Sequence, residues 1–518
     1  MSQGFKAVFM AHRKIIAISL AAILIVTGVT LGIVLTRTPR SAILRIANWD
    51  YFLDESLITR FEREWETATG NRIRVDHQRG GYNESFFREL DQNRRDFDLV
   101  IPSEYMVEKM IAHDMLKPLD LSRLPALTAT ETTPSGAAVR VLDPTVFDAY
   151  ITNAILNVTG GVHFAIPYAY GTLGIVYDTS VSGLGNFIRA NGWRSLFAQN
   201  SASGWLNETH ANQNSWRQSV KNIGRDTYTI ALLAYYQAQL ESYIVAGNVA
   251  GHEALMHKIF SGVFDAYDQF DTAGMATLRN TARDVLMTLP RDVMFEGPDQ
   301  LLNDMYRFAG TAAGNQQRRA VFGIEWSVSA VFAKYMNVSE GFQETSQVGF
   351  YVPQVGTNLW INSLVIPNAA RNVDAAYAFI NFIKSGEVAL QNQFTHCGAT
   401  PILEAAQGIL EMLEDTITFT TATRNSTRSE LELARDAYLA GGDPELTLAE
   451  ANAEIDAFIA WQSMLMASFP REFGTLERNG INLGGIFRYF SGGLDVQIDL
   501  MLNGVRTATS GSGARPAR

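Results

Sequence analysis

The sequence predicts an α/β protein in which helices cover both faces of a largely parallel sheet. From Leu44 onward, apolar runs of strand length alternate with segments whose apolar residues recur every three or four positions, which is the helical period. A long extended run, "FAIPYAYGTLGIVYDTS" (164–180), separates two such passages. Strand–helix–strand alternation is typical of a doubly wound sheet, in which ligands bind beyond the carboxyl ends of the strands.

Length and composition exclude several classes of function. The chain has 518 residues and a formal net charge of −11, so it can bury more than one core but lacks the positive surface that nucleic acid requires. Its one cysteine excludes an intrachain disulfide framework and a metal site built from several cysteines. Size and charge therefore indicate a multidomain protein that tolerates a cationic partner.

The N-terminal region predicts a membrane anchor. Residues 15–36 carry no charge, and basic residues precede and follow them. The stretch is long enough to span a bilayer as a helix and longer than the apolar core of a cleaved secretory signal. We therefore expect an uncleaved single-pass anchor, with residues 1–14 in the cytoplasm and the binding domain on the extracytoplasmic side of the cell membrane.

The first α/β passage is predicted element by element. We expect strands in "LRIA", "NRIRVDHQ" and "FDLVIP", and helices in "DESLITRFEREW" and "NESFFREL". Ser103 then takes the N-cap position of a helix in "EYMVEKMIAHDML". The clusters "NWDYF" and "PSEY" directly follow strands, so we expect both at the edge of the sheet where ligands bind.

The second half of the chain predicts another α/β passage between helical regions. Residues 185–320 are mostly helical in pattern. Strands and a helix follow in "AVFGIEWSVSAVFA", "VGFYVP" and "LWINSLVIP", and one long helix is expected over "NVDAAYAFINFIKSGEVALQNQF". Residues 402–505 are again predicted to be mainly helical, and residues 506–518 to form a disordered polar tail.

The sequence matches none of the following common motifs of catalysis and metal binding. His252 and His257 lie five positions apart, about 140° around a helix, whereas a zinc site on one helical face needs a spacing of four. The sequence contains neither a GxxxxGK[ST] phosphate loop nor a GxSxG nucleophile motif. We therefore expect no enzyme activity, no cofactor and no metal.

Five segments, in order along the chain, resemble the spermidine/putrescine-binding proteins of bacterial ABC importers. They are "NWDYFLDESLITRF", "DFDLVIPSEYMVEKM", "AIPYAYGTLGIVYD", "GIEWSVSA" and "LWINSLVIP". The resemblance implies a two-lobed periplasmic-binding-protein (Venus-flytrap) fold, whose lobes are joined by crossing strands and close on a ligand. We expect lobe 1 to contain 41–170 and 360–402, and lobe 2 to contain 171–359 and 403–505, with extra helical insertions.

The resemblance also implies a polyamine site between the lobes. In the family, aromatic rings flank the methylene groups of the ligand and carboxylates meet its ammonium groups. Such rings bury the alkyl chain and attract its charge, while ammonium groups removed from water need charged acceptors. The residues expected to bind the ligand are Trp49, Asp50, Phe52, Ser103, Glu104, Tyr105, Asp226, Trp326, Trp360 and Asn362. Strand alternation points Glu325, next to Trp326, to the other face, where we expect a structural role.

Two of the three acids in the family pattern are replaced by uncharged residues. Asn362 stands where the family has an aspartate, and Ile223 where it has another acid, while Asp226 matches a third. An asparagine carries no charge, and a charged hydrogen bond contributes about 1.5–3 kcal/mol. Asp50 and Glu104, both expected at strand ends facing the cleft, are candidate replacements.

We therefore expect a membrane-anchored receptor that binds polyamine, or a related cationic amine, and delivers it to an ABC permease. Two alternatives stay open at the level of the sequence. The same fold can bind a thiamine-like or uncharged solute, or the chain can be a surface interaction protein whose cleft no longer binds a ligand, because fold does not imply function.

Overall fold

The computed structural model describes part of the chain between residues 41 and 509. The described ranges are 41–50, 52–80, 82–92, 96–179, 181–197, 216–261, 272–289, 293–296, 301, 319–335, 348–396, 399–412, 417, 419–420, 422, 426–441, 444–468, 476–490 and 494–509. The predicted cytoplasmic segment 1–14, the predicted anchor 15–36 and residues 510–518 of the predicted tail lie outside them. Of the helices within these ranges, none combines the length and the apolar character needed to cross a membrane.

Strands and helices alternate along the chain, and most strands join one mixed sheet. The strands are β1 (Ser41–Asn48), β2 (Arg72–Arg79), β3 (Leu99–Val100), β4 (Thr128–Thr132), β5 (Ala138–Leu142), β6 (Ala165–Asp178), β7 (Trp216–Lys221), β8 (Met294–Glu296), β9 (Arg319–Trp326), β10 (Val348–Tyr351), β11 (Thr357–Val365), β12 (Glu477–Arg478), β13 (Ile481–Asn482) and β14 (Gly484–Gly485). The main sheet has the order β2-β1-β3-β11-β6-β9-β7-β8, with β10 on β6 and β14 on β11.

Helices flank this sheet. They are α1 (Glu55–Thr69), α2 (Asn83–Asp91), α3 (Glu104–Ala112), α4 (Ala149–Val158), α5 (Leu184–Asn191), α6 (Gly224–Val245), α7 (Val249–Ser261), α8 (Thr272–Leu286), α9 (Ser327–Tyr335), α10 (Val373–Ile383), α11 (Gly386–His396), α12 (Leu403–Met412), α13 (Arg428–Leu439), α14 (Leu448–Ser468) and α15 (Leu494–Thr509). The α/β class predicted from the sequence is confirmed.

The main sheet consists of two parallel halves joined by antiparallel strands. β1 pairs in parallel with β2 and β3, and β7 pairs in parallel with β8 and β9. β6 runs antiparallel to β11, β9 and β10. The expectation of a largely parallel sheet therefore holds within each half and fails between them, because the chain leaves the first half along β6 and returns along β11.

β6 is the strand that joins the two lobes. Its residues 165–172 pair with β11, and residues 173–178 pair with β9 or β10. The whole strand is buried. A Cβ atom added at Gly171 would lie 2.4 Å from the ring of Trp360, so the close packing of these strands requires glycine there. The extended run that the sequence placed between two α/β passages is thus confirmed as a crossing strand.

Three buried clusters cover the faces of the main sheet. One cluster around Ile46 and another around Met106 pack on opposite faces of its β1–β3–β11 side, and the second of them also includes Ile244 of α6 and Phe458 of α14. In the second lobe, a large cluster around Phe322 fills the space between β6, β9 and the helices α6, α7 and α8. Burial on both faces of a sheet is the arrangement that a doubly wound fold requires.

The structure corrects two expectations about helices. The helix predicted over 372–394 is divided into α10 and α11, and Gly386 at the break packs so closely against Glu404 that a Cβ atom there would lie 2.1 Å from Oε2. Beside this break, α12 packs against α11. α15 extends to Thr509, into the predicted tail, because Val505 is buried against the second lobe. The sequence also missed β7, within a region expected to be mostly helical.

Candidate functional site

Two of the predicted aromatic residues lie where the lobes meet. Trp326 ends β9 and packs against the cores of both lobes. Tyr105, in the first turn of α3, likewise contacts the second-lobe core and one core of the first lobe. The carboxyl ends of the strands therefore face an inter-lobe boundary lined by aromatic rings, as expected for a doubly wound sheet.

The first-lobe wall contains three of the predicted aromatic residues. Trp49 Nε1 donates a hydrogen bond of 2.8 Å to the carbonyl of Ile101, and its ring meets Phe86 edge to face at 5.8 Å. Phe52 and Trp360 form another edge-to-face pair at 6.3 Å. Trp360 is only 7% exposed, and its buried Nε1 makes no hydrogen bond. Since an unbonded buried donor is costly, this N–H is a candidate donor to a ligand.

A hydrogen-bonded network joins the end of the strand β3 to β11. Ser103 Oγ donates to Asn362 Oδ1 at 2.8 Å and accepts from Asn83 Nδ2 at 3.1 Å, while Asn83 Oδ1 accepts from the Ser103 N–H. Ser103 takes the predicted N-cap position of α3, but its side chain makes no capping bond. The Ser103 hydroxyl donates its hydrogen bond to Asn362 instead of capping the helix, and the two residues form a neutral polar patch.

Tyr105 links this patch to the second lobe. Its hydroxyl accepts from Asn83 Nδ2 at 3.0 Å and donates to Glu84 Oε1 at 3.1 Å. Burial, with the charge of Glu84, holds the pKa of the phenol well above its usual range, so the hydroxyl stays protonated. The guanidinium of Arg225 lies over the Tyr105 ring at 4.0 Å.

The two candidate replacement acids occupy different environments. Glu104 is fully buried, and its Oε2 accepts a 2.8 Å hydrogen bond from the Ile361 N–H, so the side chain turns toward the backbone of β11. Burial raises the pKa of this carboxyl to about 7. Asp50 is exposed and faces Gly80 at the end of β2. Because β2 lies on the opposite side of β1 from β3 and β11, Asp50 is not brought beside Asn362.

A buried ion pair lies under Trp326. Lys221 Nζ is 2.5 Å from Glu325 Oε1, and the side chains are 2% and 1% exposed. The same Nζ lies 3.6 Å from the centroid of the Trp326 ring, and Glu325 Oε1 also accepts from the Trp326 N–H at 2.8 Å. Glu325 therefore has the structural role expected for it, although no pattern in the sequence indicated Lys221 as its partner.

The first turn of α6 brings a cation and an acid to the same boundary. Arg225 lies 4.0 Å from the ring centroids of both Tyr105 and Phe490 and donates to Asp495 Oδ1 at 2.8 Å. Asp226 is 5% exposed, and its buried Oδ2 makes no hydrogen bond. Burial raises the pKa of Asp226 to about 6, against the opposing charges of Lys221 and Arg225. Asp226 is thus an acceptor without a partner for one of its oxygens.

Most predicted site residues fall into two groups of neighbouring side chains. The group on the side of β1, β3 and β11 contains Trp49, Phe52, Ser103, Tyr105, Trp360 and Asn362, and the group on the side of β7 and β9 contains Asp226 and Trp326. Sequence reasoning missed Asn83, Lys221 and Arg225, which contact these residues. Alternation in "WRQSVK" was an available signal for β7, but nothing in it pairs Lys221 with a distant glutamate. Within the described ranges, no group of three or more His, Cys, Asp or Glu side chains could hold a metal ion.

The family model described as bacterial extracellular solute-binding protein matches residues 57–420. This chain belongs to that family. Its members bind a small molecule outside the cytoplasm and deliver it to an ABC importer, so the chain is a solute-binding component and not an enzyme.

Individual relatives support the same assignment. The putrescine-binding periplasmic protein PotF of Escherichia coli K12 is 23% identical over 345 residues, 67% of this chain and 74% of that protein. Spermidine/putrescine-binding periplasmic protein 1 of Haemophilus influenzae is 21% identical over 65% of this chain and 68% of that protein. The resemblance found in the sequence is confirmed.

A solved structure supports the two-lobed fold. The crystal structure of the spermidine/putrescine ABC transporter substrate-binding protein PotD from Streptococcus pneumoniae superposes with a TM-score of 0.51 at 19% identity. The superposition covers 90% of this chain and 99% of PotD.

Proposed function

We propose that this solute-binding protein receives a small cationic amine, a polyamine such as putrescine or spermidine or a related amine, between its lobes and delivers it to an ABC permease. The observation that carries the proposal is the buried carboxylate of Asp226, whose Oδ2 makes no hydrogen bond. An acid in this state accepts an ammonium group at little further desolvation cost. The names of the two relatives above, both polyamine-binding proteins, support the same ligand class.

The surrounding side chains suit an alkyl-ammonium ligand. Rings of Phe52, Trp326 and Trp360 supply apolar contact for methylene groups, and each cation–π contact contributes about 0.5–2 kcal/mol. The neutral pair Ser103–Asn362 supplies hydrogen bonding without charge. Because these groups belong to both lobes, a ligand that touches them favours the closed state over the open one.

The tether and the lobe division are also part of the proposal. Residues 15–36 would anchor the receptor at the outer face of the cell membrane, with 1–14 inside, on the grounds of their uncharged length. Lobe 1 would contain 41–170 and 360–402, extended by α12, and lobe 2 the remainder to the end of α15. The exchange of pairing partners along β6 after residue 172 supports a boundary near that point.

A ligand panel tests the proposal. The melting temperature of the full chain is measured with putrescine, spermidine, 4-aminobutan-1-ol, thiamine and neutral amino acids. A bound ligand at 100 times its dissociation constant stabilises the folded state by about 2.7 kcal/mol. We expect at least one amine to raise the melting temperature and the neutral amino acids to leave it unchanged. A response to thiamine alone, or to none of the amines, would overturn the proposal.

A further inference from the structure

The cleft contains a lysine whose ammonium group lies on a tryptophan ring. Lys221 ends β7, Glu325 lies one residue before the end of β9, and these strands are parallel neighbours. Lys221 Nζ lies 2.5 Å from Glu325 Oε1 and 3.6 Å from the centroid of the Trp326 ring. The chain itself therefore places an ammonium group against an aromatic ring at the inter-lobe boundary.

This ammonium group is held in place. Glu325 Oε1 accepts from both Lys221 Nζ and the Trp326 N–H, so the ion pair is tied to the ring beside it. Separating one member of a buried ion pair leaves an uncompensated charge, which is strongly unfavourable. Lys221 consequently does not move aside for a ligand, and the face of Trp326 that it covers is closed to a ligand cation.

Arg225 is a second cation of the protein near Asp226, the acid proposed to bind the ligand. Arg225 is packed at 4.0 Å from the rings of Tyr105 and Phe490 and is paired with Asp495. Burial raises the pKa of Asp226, the positive charges of Lys221 and Arg225 lower it, and the negative charges of Glu325 and Glu84 raise it, so two cations and two acids act on this carboxylate. Both cations are already paired, Lys221 with Glu325 and Arg225 with Asp495.

We infer that Lys221 takes the place of one ammonium group of a diamine, so that the cleft selects an amine with a single ammonium group over a diamine of the same length. The inference rests on the proposed function and specifies its ligand class. A single ammonium group binds Asp226 Oδ2. A second one finds Glu325 already paired with Lys221 and Asp495 already paired with Arg225, and it can reach either acid only against the charge of the cation that the acid holds. A neutral polar end avoids that repulsion.

The test compares two probes that share a four-carbon chain. Putrescine has an ammonium group at each end, and 4-aminobutan-1-ol has a hydroxyl group at one end instead. Calorimetric titration of the full chain should show that 4-aminobutan-1-ol binds at least about tenfold more tightly, the ratio that one unfavourable charge contact of modest strength produces. Putrescine binding as tightly as or more tightly than the amino alcohol overturns the inference while the proposed function stands. Binding of neither probe overturns the inference, and the proposed function falls with it if spermidine does not bind either.

Variants of the ion pair provide a second readout. In Lys221→Met, Glu325 is left to accept a ligand ammonium group, so the preference should reverse toward putrescine. Lys221→Met/Glu325→Gln removes both charges, leaves no unpaired buried ion, and should bring the two affinities within about threefold of each other. Lys258→Met is the matched control, because it removes a lysine whose ammonium group lies 5.7 Å from the ring of Tyr236 rather than on Trp326. An affinity ratio that is the same in the wild type and both Lys221 variants contradicts the inference.

Discussion

Ser103 Oγ donates a hydrogen bond of 2.8 Å to Oδ1 of Asn362. The bond connects the start of α3 to the middle of β11, two elements that meet only through the folded sheet. It also fixes the orientation of the amide, whose oxygen faces the serine. A carboxylate at position 362 could accept the same bond.

Asn362→Asp should therefore strengthen amine binding without disturbing the network. The variant adds a negative charge at a buried position next to the proposed ligand. Because a charged hydrogen bond contributes about 1 kcal/mol more than a neutral one, we expect the dissociation constant for putrescine to fall about fivefold to tenfold. Calorimetric titration of the wild type and the variant measures this change.

The control for that experiment is Asn368→Asp. Asn368 is exposed just after β11, so its substitution adds the same charge outside the cleft. It should leave the dissociation constant unchanged. An unchanged affinity in Asn362→Asp would mean that this side chain does not face the ligand.

Glu104 should make the stability of the ligand-free protein depend on pH. Burial raises the pKa of its carboxyl from 4.5 to about 7, so the folded state favours the protonated form. The resulting stabilisation is fully present below about pH 4.5 and is lost as the pH rises through about 7. The loss corresponds to at most about 3 kcal/mol in the free energy of unfolding.

Urea unfolding of the wild type and Glu104→Gln between pH 5 and pH 8 measures this dependence. Glutamine can still accept the Ile361 N–H bond but never ionises, so the variant should gain stability relative to the wild type as the pH rises. Glu64→Gln, at an exposed position on α1, should follow the wild type. A constant difference between Glu104→Gln and the wild type would show that Glu104 has an ordinary pKa.

The contact between Glu108 and Arg488 should hold the lobes together. Glu108 belongs to α3 in the first lobe, and its Oε1 accepts from Arg488 Nη2 at 2.6 Å while Oε2 accepts from the Tyr489 N–H. Phe487 and Phe490, on either side of that segment, are buried in the second-lobe core. If opening of the lobes separates α3 from the segment around Arg488, Glu108→Ala removes an interaction of the closed state, and it should lower amine affinity by about fivefold to tenfold, mainly by faster dissociation.

Stopped-flow dissociation of a bound amine checks the role of Glu108. Asp374→Ala is the matched control, since the partner of Asp374, Arg123, lies in the same lobe. The control should leave the dissociation rate unchanged. If the two variants change the dissociation rate equally, Glu108 acts through the net surface charge and not through lobe closure.

The elements that could be predicted from the sequence are those whose pattern lies within one short segment. The crossing strand β6 was recognisable because a long apolar run with glycines matches a strand buried on both faces. The aromatic residues at strand ends were found through the ordered resemblance of five segments. Even the inward direction of Glu104 had a local signal, since it shares a helical face with the buried Val107 and Met110.

Contacts between residues far apart in the chain could not be predicted from the sequence. Lys221 and Glu325 are 104 positions apart and meet only because β7 and β9 are neighbours in the sheet. Asp50 was expected at a strand end facing the cleft, as a candidate replacement for the acid absent at position 362, and its carboxylate lies against Gly80, just after β2. The charge balance of the cleft depends on these pairings, so composition and motif could indicate an amine site but not the cations already present in it.

The measurement that tests the central claim most directly is the amine affinity of Asp226→Asn. Putrescine and 4-aminobutan-1-ol are titrated into the full-length wild type, Asp226→Asn, and the exposed control Asp436→Asn. Because the buried carboxylate supplies the charged acceptor for the ligand, we predict that Asp226→Asn weakens both amines by at least about tenfold and that the control binds like the wild type. Wild-type affinity for either amine in Asp226→Asn would contradict the account.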